Sequence, residues 1–190
     1  MIGIPMALAY HNVSEWIVHK YILHGKGKKK GNFWNFHFYE HHRAARTNEM
    51  VDADYIRPLG WTAQGKELAA LVGATLVHLP LLPVAPLFFT TYAYCNYRYY
   101  VVHKKAHLDP EWGREHLPWH YDHHMGADQD SNWCVTKPWC DDYMGTRVPY
   151  VGTEKELADR ARRKARRQPA NPAANQPGPI AARPAAENVA

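Results

Sequence analysis

Cysteine is scarce in this chain of 190 residues: there are three, Cys95, Cys134 and Cys140, and no two form a C-x-x-C pair. With so little sulfur the plain expectation is a reduced, cytoplasmic setting. The chain also lacks a Walker loop, a G-x-G-x-x-G fingerprint after a strand and a G-x-S-x-G elbow, so nucleotide chemistry and serine hydrolysis have no sequence support. Residues 1–18 are apolar but broken by His11, Asn12 and Glu15, and they lack the basic start, apolar core and small-residue cleavage site of a signal peptide. No internal repeat is evident beyond the histidine clusters described next. Charge of either sign is limited: 23 basic against 18 acidic residues point to a membrane surface or an acidic partner and to nothing more specific.

Histidine is what the chain has in excess. Ten of its 13 histidines fall into four clusters: His19 and His24; His37, His41 and His42; His103 and His107; His120, His123 and His124. Neutral imidazole is the commonest protein metal ligand near neutral pH, and clusters converging from separate helices can enclose more than one ion. H-x-x-x-H at His103 and His107 puts two rings on one helical face, as does H-x-x-H-H at 120–124, and His37 shares a face with His41. His19 and His24 are five apart, about 140° around an ideal helix, so the helix is expected to end or loosen near Gly25. His11, His78 and His116 stand outside the clusters and are read as non-ligands.

Length and composition suit one domain, with 46% hydrophobic residues for a core. The mean hydropathy of −0.54 argues against a polytopic protein, so local segments decide. Residues 68–82 and 84–102 form two apolar runs split by Pro80, Pro83 and Pro86. At about 1.5 Å per residue the first run spans roughly 22 Å, short of a bilayer core, and the second nearly reaches. They are expected to form a membrane hairpin, about 67–102. Lys66, Arg98, Lys104, Lys105 and the lysines at 26 and 28–30 then place the histidine clusters on the cytoplasmic side.

The four boxes HKYILH (19–24), HFYEHH (37–42), HKKAH (103–107) and HYDHH (120–124), followed by NWCVTKPWCDDYMGTR (132–147), resemble the fatty acid hydroxylase superfamily. This membrane-bound diiron family also holds sterol desaturases and carotenoid ring hydroxylases. The resemblance covers about residues 14–147, with Cys134 standing where glycine is expected. It implies an all-α, membrane-associated helical bundle with a cytoplasmic dimetal site, short at its N-terminus because the family carries more membrane helix before the first box. The ligands implied are His19, His24, His37, His41, His42, His103, His107, His120, His123 and His124, around two iron ions, with zinc as a replacement in a preparation.

What the resemblance implies chemically is hydroxylation of an unactivated C–H bond of a lipid, most simply a fatty acyl chain, with dioxygen as co-substrate and two external electrons. No His-Pro-Gly-Gly motif marks a fused haem domain, so a separate donor such as a ferredoxin is implied, with the lysines after the first box and beside the third as a landing site. Carotenoid ring hydroxylation, lipid desaturation and a non-catalytic zinc-binding membrane protein are the alternatives. Glu15, Asp122 and Asn132 are the candidate groups to orient the imidazoles, Glu15 foremost because an acid embedded in an apolar helix needs a partner. Residues 1–152 are read as the catalytic domain. Residues 153–190 are read as a tail, first a basic helix carrying RARRKARR (160–167), then an Ala/Pro-rich disordered stretch. No nucleic-acid partner is expected.

Overall fold

The computed structural model describes residues 2–167, and among these every regular element is helical. The Ala/Pro-rich stretch lies outside the described residues. Three helices run side by side: α1 (Gly3–Ile17), α3 (Ala63–Val77) and α4 (Pro86–Leu108), with α1 and α3 both packed on α4. Between α1 and α3 lie α2 (Arg43–Thr47) and a short 3-10 turn, Ala53–Ile56. After α4 come α5 (Pro110–His116), α6 (Pro118–Met125), α7 (Trp139–Met144) and α8 (Glu154–Arg167).

Local chemistry sets these boundaries. Proline opens α4, α5 and α6, where its missing N–H costs nothing and its fixed φ suits a first turn. Asp109 caps α5 by accepting the Trp112 N–H. Gly145 ends α7 in the left-handed conformation, φ 65°. Beneath α4, α5 and α6 sits an apolar cluster of Met50, Ala106, Leu117, Tyr121, Met125 and Tyr150. A Cβ at Gly113 would stand 3.0 Å from that of Ala106, so glycine there lets α5 lie close on α4.

Two stretches are wound more loosely than an α-helix. α1 runs directly into a π-helical stretch, Val18–Lys26, and a second, His37–His42, leads into α2. In a π-helix the bonding register is i to i+5, so residues five apart become neighbours. Of the two expectations at Gly25, an end or a loosening, the second is what occurs: the looser winding begins at Val18 and continues through Lys26, and His24 turns to the side of His19 without the helix ending.

The expected membrane hairpin is overturned. No helix among the described residues is long and apolar enough to cross a membrane. α3 has only 15 residues, and α4, though 23 residues long, carries Asn96, Arg98, His103, Lys104, Lys105 and His107. The two apolar runs do become α3 and α4, joined through the short turn Leu79–Leu81. With the hairpin goes the basis for a membrane-associated bundle, for a membrane localisation and for a cytoplasmic side of the site.

The basic run falls in the second half of α8, and α8 packs back on the body. Glu156 is fully buried and pairs with Arg114 of α5, while Asp159 accepts the Tyr150 hydroxyl at 3.0 Å. A domain boundary at residue 152 therefore passes through a packed contact.

Candidate metal centre

The ten clustered histidines converge at one end of the α1–α4 pair, each at most 3% exposed. They sort into two groups of nitrogen donors. His19, His24, His37, His42 and His123 form the first, and His41, His103, His107 and His124 the second; within each, the donor atoms lie within 4.8 Å of one another. His120 joins the second group through its Nε2, 3.1 Å from that of His107. The groups abut, with the His42 and His124 rings 4.3 Å apart between centroids.

The π-helical winding decides which histidine goes where. His19 and His24 face the first group together, and so do His37 and His42. Spacing alone paired His37 with His41, but the wider turn sends His41 to the second group. α6 bridges the two, giving His123 to one and His124 to the other.

The imidazole tautomers are held from outside. Nδ1–H donates to a carbonyl oxygen at Trp133 from His19 (2.5 Å), at Ser131 from His123 (2.6 Å) and at Met50 from His107 (2.8 Å). Carboxylates take the same proton at His41 (Asp52, 2.8 Å), His103 (Glu67, 2.5 Å) and His24 (Asp130, 3.3 Å). A neutral ring that donates at Nδ1 presents a lone pair at Nε2. The His42 Nε2 nevertheless stands 3.1 Å from the Nε2 atoms of His24, His37 and His123 alike. One N–H can satisfy one of those three contacts at most. The others set lone pair against lone pair, an arrangement that is favourable only around a cation.

Protonation does not relieve the crowding. Burial, reinforced by the neighbouring imidazoles, lowers the pKa of His37, His42, His103, His107, His120, His123 and His124 well below the usual value. His19 is lowered to about 4, chiefly by burial. His24 is lowered by burial and by His123. These nine rings are thus neutral at pH 7, the form in which imidazole binds a metal.

The donor set fits metal ions. Buried ring nitrogens of His41, His103, His120 and His124 have no hydrogen-bond partner among the described residues, as a ligand atom without its ion would not. Nitrogens at right angles around an ion with bonds of roughly 2.1 Å lie about 3.0 Å apart, whereas a tetrahedral pair lies about 3.4 Å apart. The shortest spacings, 2.8 to 3.1 Å, match the former. Five donors in the first group also exceed the four of a closed structural zinc site. These buried histidine groups could hold metal.

The candidate orienting residues act one step further out than expected. Glu15 accepts the Val135 and Thr136 N–H groups at 2.7 and 2.9 Å, takes the Thr136 hydroxyl, and pairs with His11 at 2.9 Å. It touches no clustered imidazole. Instead it pins the loop whose Trp133 carbonyl holds His19, and Asp141 pins the same loop through the Trp133 and Cys134 N–H groups. Asp122 is tied to Arg147, Tyr150 and Val151, and Asn132 to Arg147 and Val148, the latter beside the Ser131 carbonyl that holds His123. The carboxylates that do meet the clustered imidazoles are Asp52, Glu67 and Asp130. Glu67 was missed altogether; it sits in α3, far from any box, with no local signal except an acid in an apolar run. His11, His78 and His116 bond to Glu15, Tyr10 and the Trp112 carbonyl, away from both groups.

A cleft reaches both groups. α4 lines it with Tyr92, Asn96, Tyr99 and His103, α1 with His11, Ser14 and Glu15, continued by Val18 of the π-helical stretch, and α3 with Ala63, Glu67, Ala70, Leu71 and Ala74. Its inner end is made by His19 and His37 of the first group and His41 and His103 of the second. Burial lifts the pKa of Glu67 to about 7. The Tyr55 hydroxyl donates to it at 2.5 Å, and its other oxygen accepts from His103.

Among the described residues, fold and site together define an all-helical protein with a buried pair of histidine clusters that could hold metal, at the end of an apolar cleft. No protein-family model, curated protein or solved structure matches the chain.

Proposed function

We propose that this protein is a diiron oxygenase that hydroxylates an unactivated C–H bond of a lipid, most simply of a fatty acyl chain. The observation that carries this reading is the cleft: its walls are largely aliphatic and aromatic, and it ends on imidazoles from both histidine groups. A structural metal site has no need of a substrate-shaped approach, and the five-donor first group does not suit tetrahedral zinc.

Two irons held by the ten histidines would supply what side chains cannot, a dioxygen-derived oxidant strong enough for an aliphatic C–H bond. The balance takes the substrate C–H, one dioxygen, two electrons and two protons to the alcohol and one water. A separate carrier such as a ferredoxin would deliver the electrons. The chain's own residues do the rest. Asp52, Glu67 and the carbonyls of Met50, Ser131 and Trp133 hold the imidazoles in the donor tautomer. Tyr99, Leu71 and Val18 present an apolar surface that excludes water and aligns a chain. Glu67 accepts from both His103 and the Tyr55 hydroxyl and so fixes both groups at the inner end of the cleft.

The test is iron-loaded protein with a reduced ferredoxin, dioxygen and a set of fatty acids, read by oxygen uptake and mass spectrometry. A product heavier by one oxygen atom, labelled from isotopic dioxygen and absent from zinc-loaded protein, is expected. Iron-loaded protein that consumes no oxygen with any lipid, while the zinc form is the more stable, would replace this reading with a zinc-binding role.

A further inference from the structure

Resting on that oxygenase reading, we infer that Ala70 and Ala74 of α3 are specificity-determining residues, setting how many carbons of an unbranched alkyl chain the cleft accepts beyond the reacting one. The three helices supply matching levels along the cleft. Glu67 meets His103 at the metal end, and Gln64 bonds the Tyr100 hydroxyl at 2.7 Å. Further out, Thr75 meets Asn96 at 2.9 Å, which places Ala74 beside the Asn96 level. Ala70 and Ala74 are one helical turn apart on the wall that carries Glu67, and both line the cleft.

The outer end is plugged. The Tyr92 ring packs on His78 at 4.3 Å and on Tyr10 at 5.7 Å, and the Tyr10 hydroxyl bonds His78 at 3.0 Å. Polar groups near the plug are already served: His11 by Glu15 at 2.9 Å and Asn96 by Thr75 at 2.9 Å. Nothing there calls for a charged or hydrogen-bonding ligand end, so the group that reaches the plug is a hydrocarbon terminus. Alanine on the α3 wall leaves the space that a larger side chain would fill.

Helical rise converts these levels into carbon counts. From Glu67 to Ala74 is about 10 Å along α3, and from His103 to Tyr92 about 16 Å along α4. An extended alkyl chain advances roughly 1.25 Å per methylene, so about eight carbons reach Ala74 and about thirteen reach the plug. A bulky residue at 74 should therefore shorten the accepted segment by about five carbons, and one at 70 by about five more.

The measurement is displacement of a fluorescent fatty acid from zinc-loaded, full-length protein by a homologous series of straight-chain alkyl carboxylates. Affinity should rise about fourfold per methylene while the chain lengthens inside the cleft, then level off. Ala74→Phe should bring the plateau about five carbons earlier and Ala70→Phe about ten. Ala69→Phe, on the exposed side of the helix, should leave it unmoved. If Ala74→Phe does not fold by circular dichroism, Ala74→Leu carries the same expectation with a smaller step. A plateau in the same place in folded variants at both positions, or an equal loss at every chain length, overturns the assignment. Because zinc-loaded protein turns nothing over, a shifting plateau without hydroxylation by the iron form would sink the oxygenase reading alone. Hydroxylation with an unmoved plateau would sink the ruler alone.

Discussion

Acid should dismantle the metal-free protein within about a unit below the ordinary histidine pKa. Nine of the ten clustered imidazoles have pKa values lowered in the fold, His19 to about 4 and the others in the same direction. In the unfolded chain each takes up a proton near pH 6.5. Between that value and the folded one the unfolded state binds more protons, so stability rises with pH and is lost as pH falls. At pH 5.5 one such group costs about 1.4 kcal/mol, and nine acting together cost at most about 13 kcal/mol, as large as the whole stability of an ordinary domain. At pH 7.5 the same groups cost almost nothing. Bound metal occupies the lone pairs that protons would otherwise take, so the loaded protein should hold to a lower pH. The assay is thermal unfolding by circular dichroism and tryptophan fluorescence from pH 7.5 to 5, with and without metal. An unchanged midpoint for the metal-free chain down to pH 5.5 would refute the claim that these rings are buried and neutral.

Removing an outer support should weaken metal binding without emptying the site: Asp52→Asn or Glu67→Gln is expected to cost 10- to 100-fold in affinity, read by competition with a chelator. Affinity equal to that of the unaltered chain would show that those carboxylates do not orient His41 and His103. His107→Ala and His123→Ala should each abolish turnover and lower the metal content, whereas His78→Ala, remote from both groups, should bind metal normally; elemental analysis distinguishes them. A chain ending at Gly152 strips Arg114 of Glu156, a pair whose acid is fully buried but whose arginine side chain is 28% exposed. A loss of about 1–3 kcal/mol by denaturant unfolding is expected, relative to a chain ending at Arg167.

The boxes made the clustered histidines visible, because a helix pairs residues three and four apart and the repeated pattern has little use on a surface. The division of those histidines between two groups was not visible from α-helical spacing. H-x-x-x-x-H occurs twice, at 19–24 and 37–42, and that five-residue interval was the signal for a π-helical register. Glu67 and Asp52 escaped for a different reason. Their partners lie 36 and 11 residues away, and contacts across that distance depend on packing rather than local pattern. The two apolar runs do not make a membrane hairpin: α3 is too short, and the second half of α4 carries Arg98, Lys104 and Lys105 beside the histidines of the site. The basic run is only the second half of α8, and Glu156 in the first turn, ahead of it, is wholly buried.

The two π-helical stretches make the site depend on the number of residues as well as on their kind. A π turn holds one more residue than the α turn it replaces. Deleting Ile22 or Leu23, neither of which is among the metal donors, would let Val18–Lys26 relax to ordinary winding with His19 and His24 only four apart. Five residues at the wider turn and four at the ordinary one bring the second ring back to nearly the same side, so His24 and the chain leading to His37 would keep their direction relative to α1. Losing one aliphatic residue between the two histidines should therefore cost less bound metal than inserting one, since the stretch is already wound in its looser form, and the metal content of the two variants checks this.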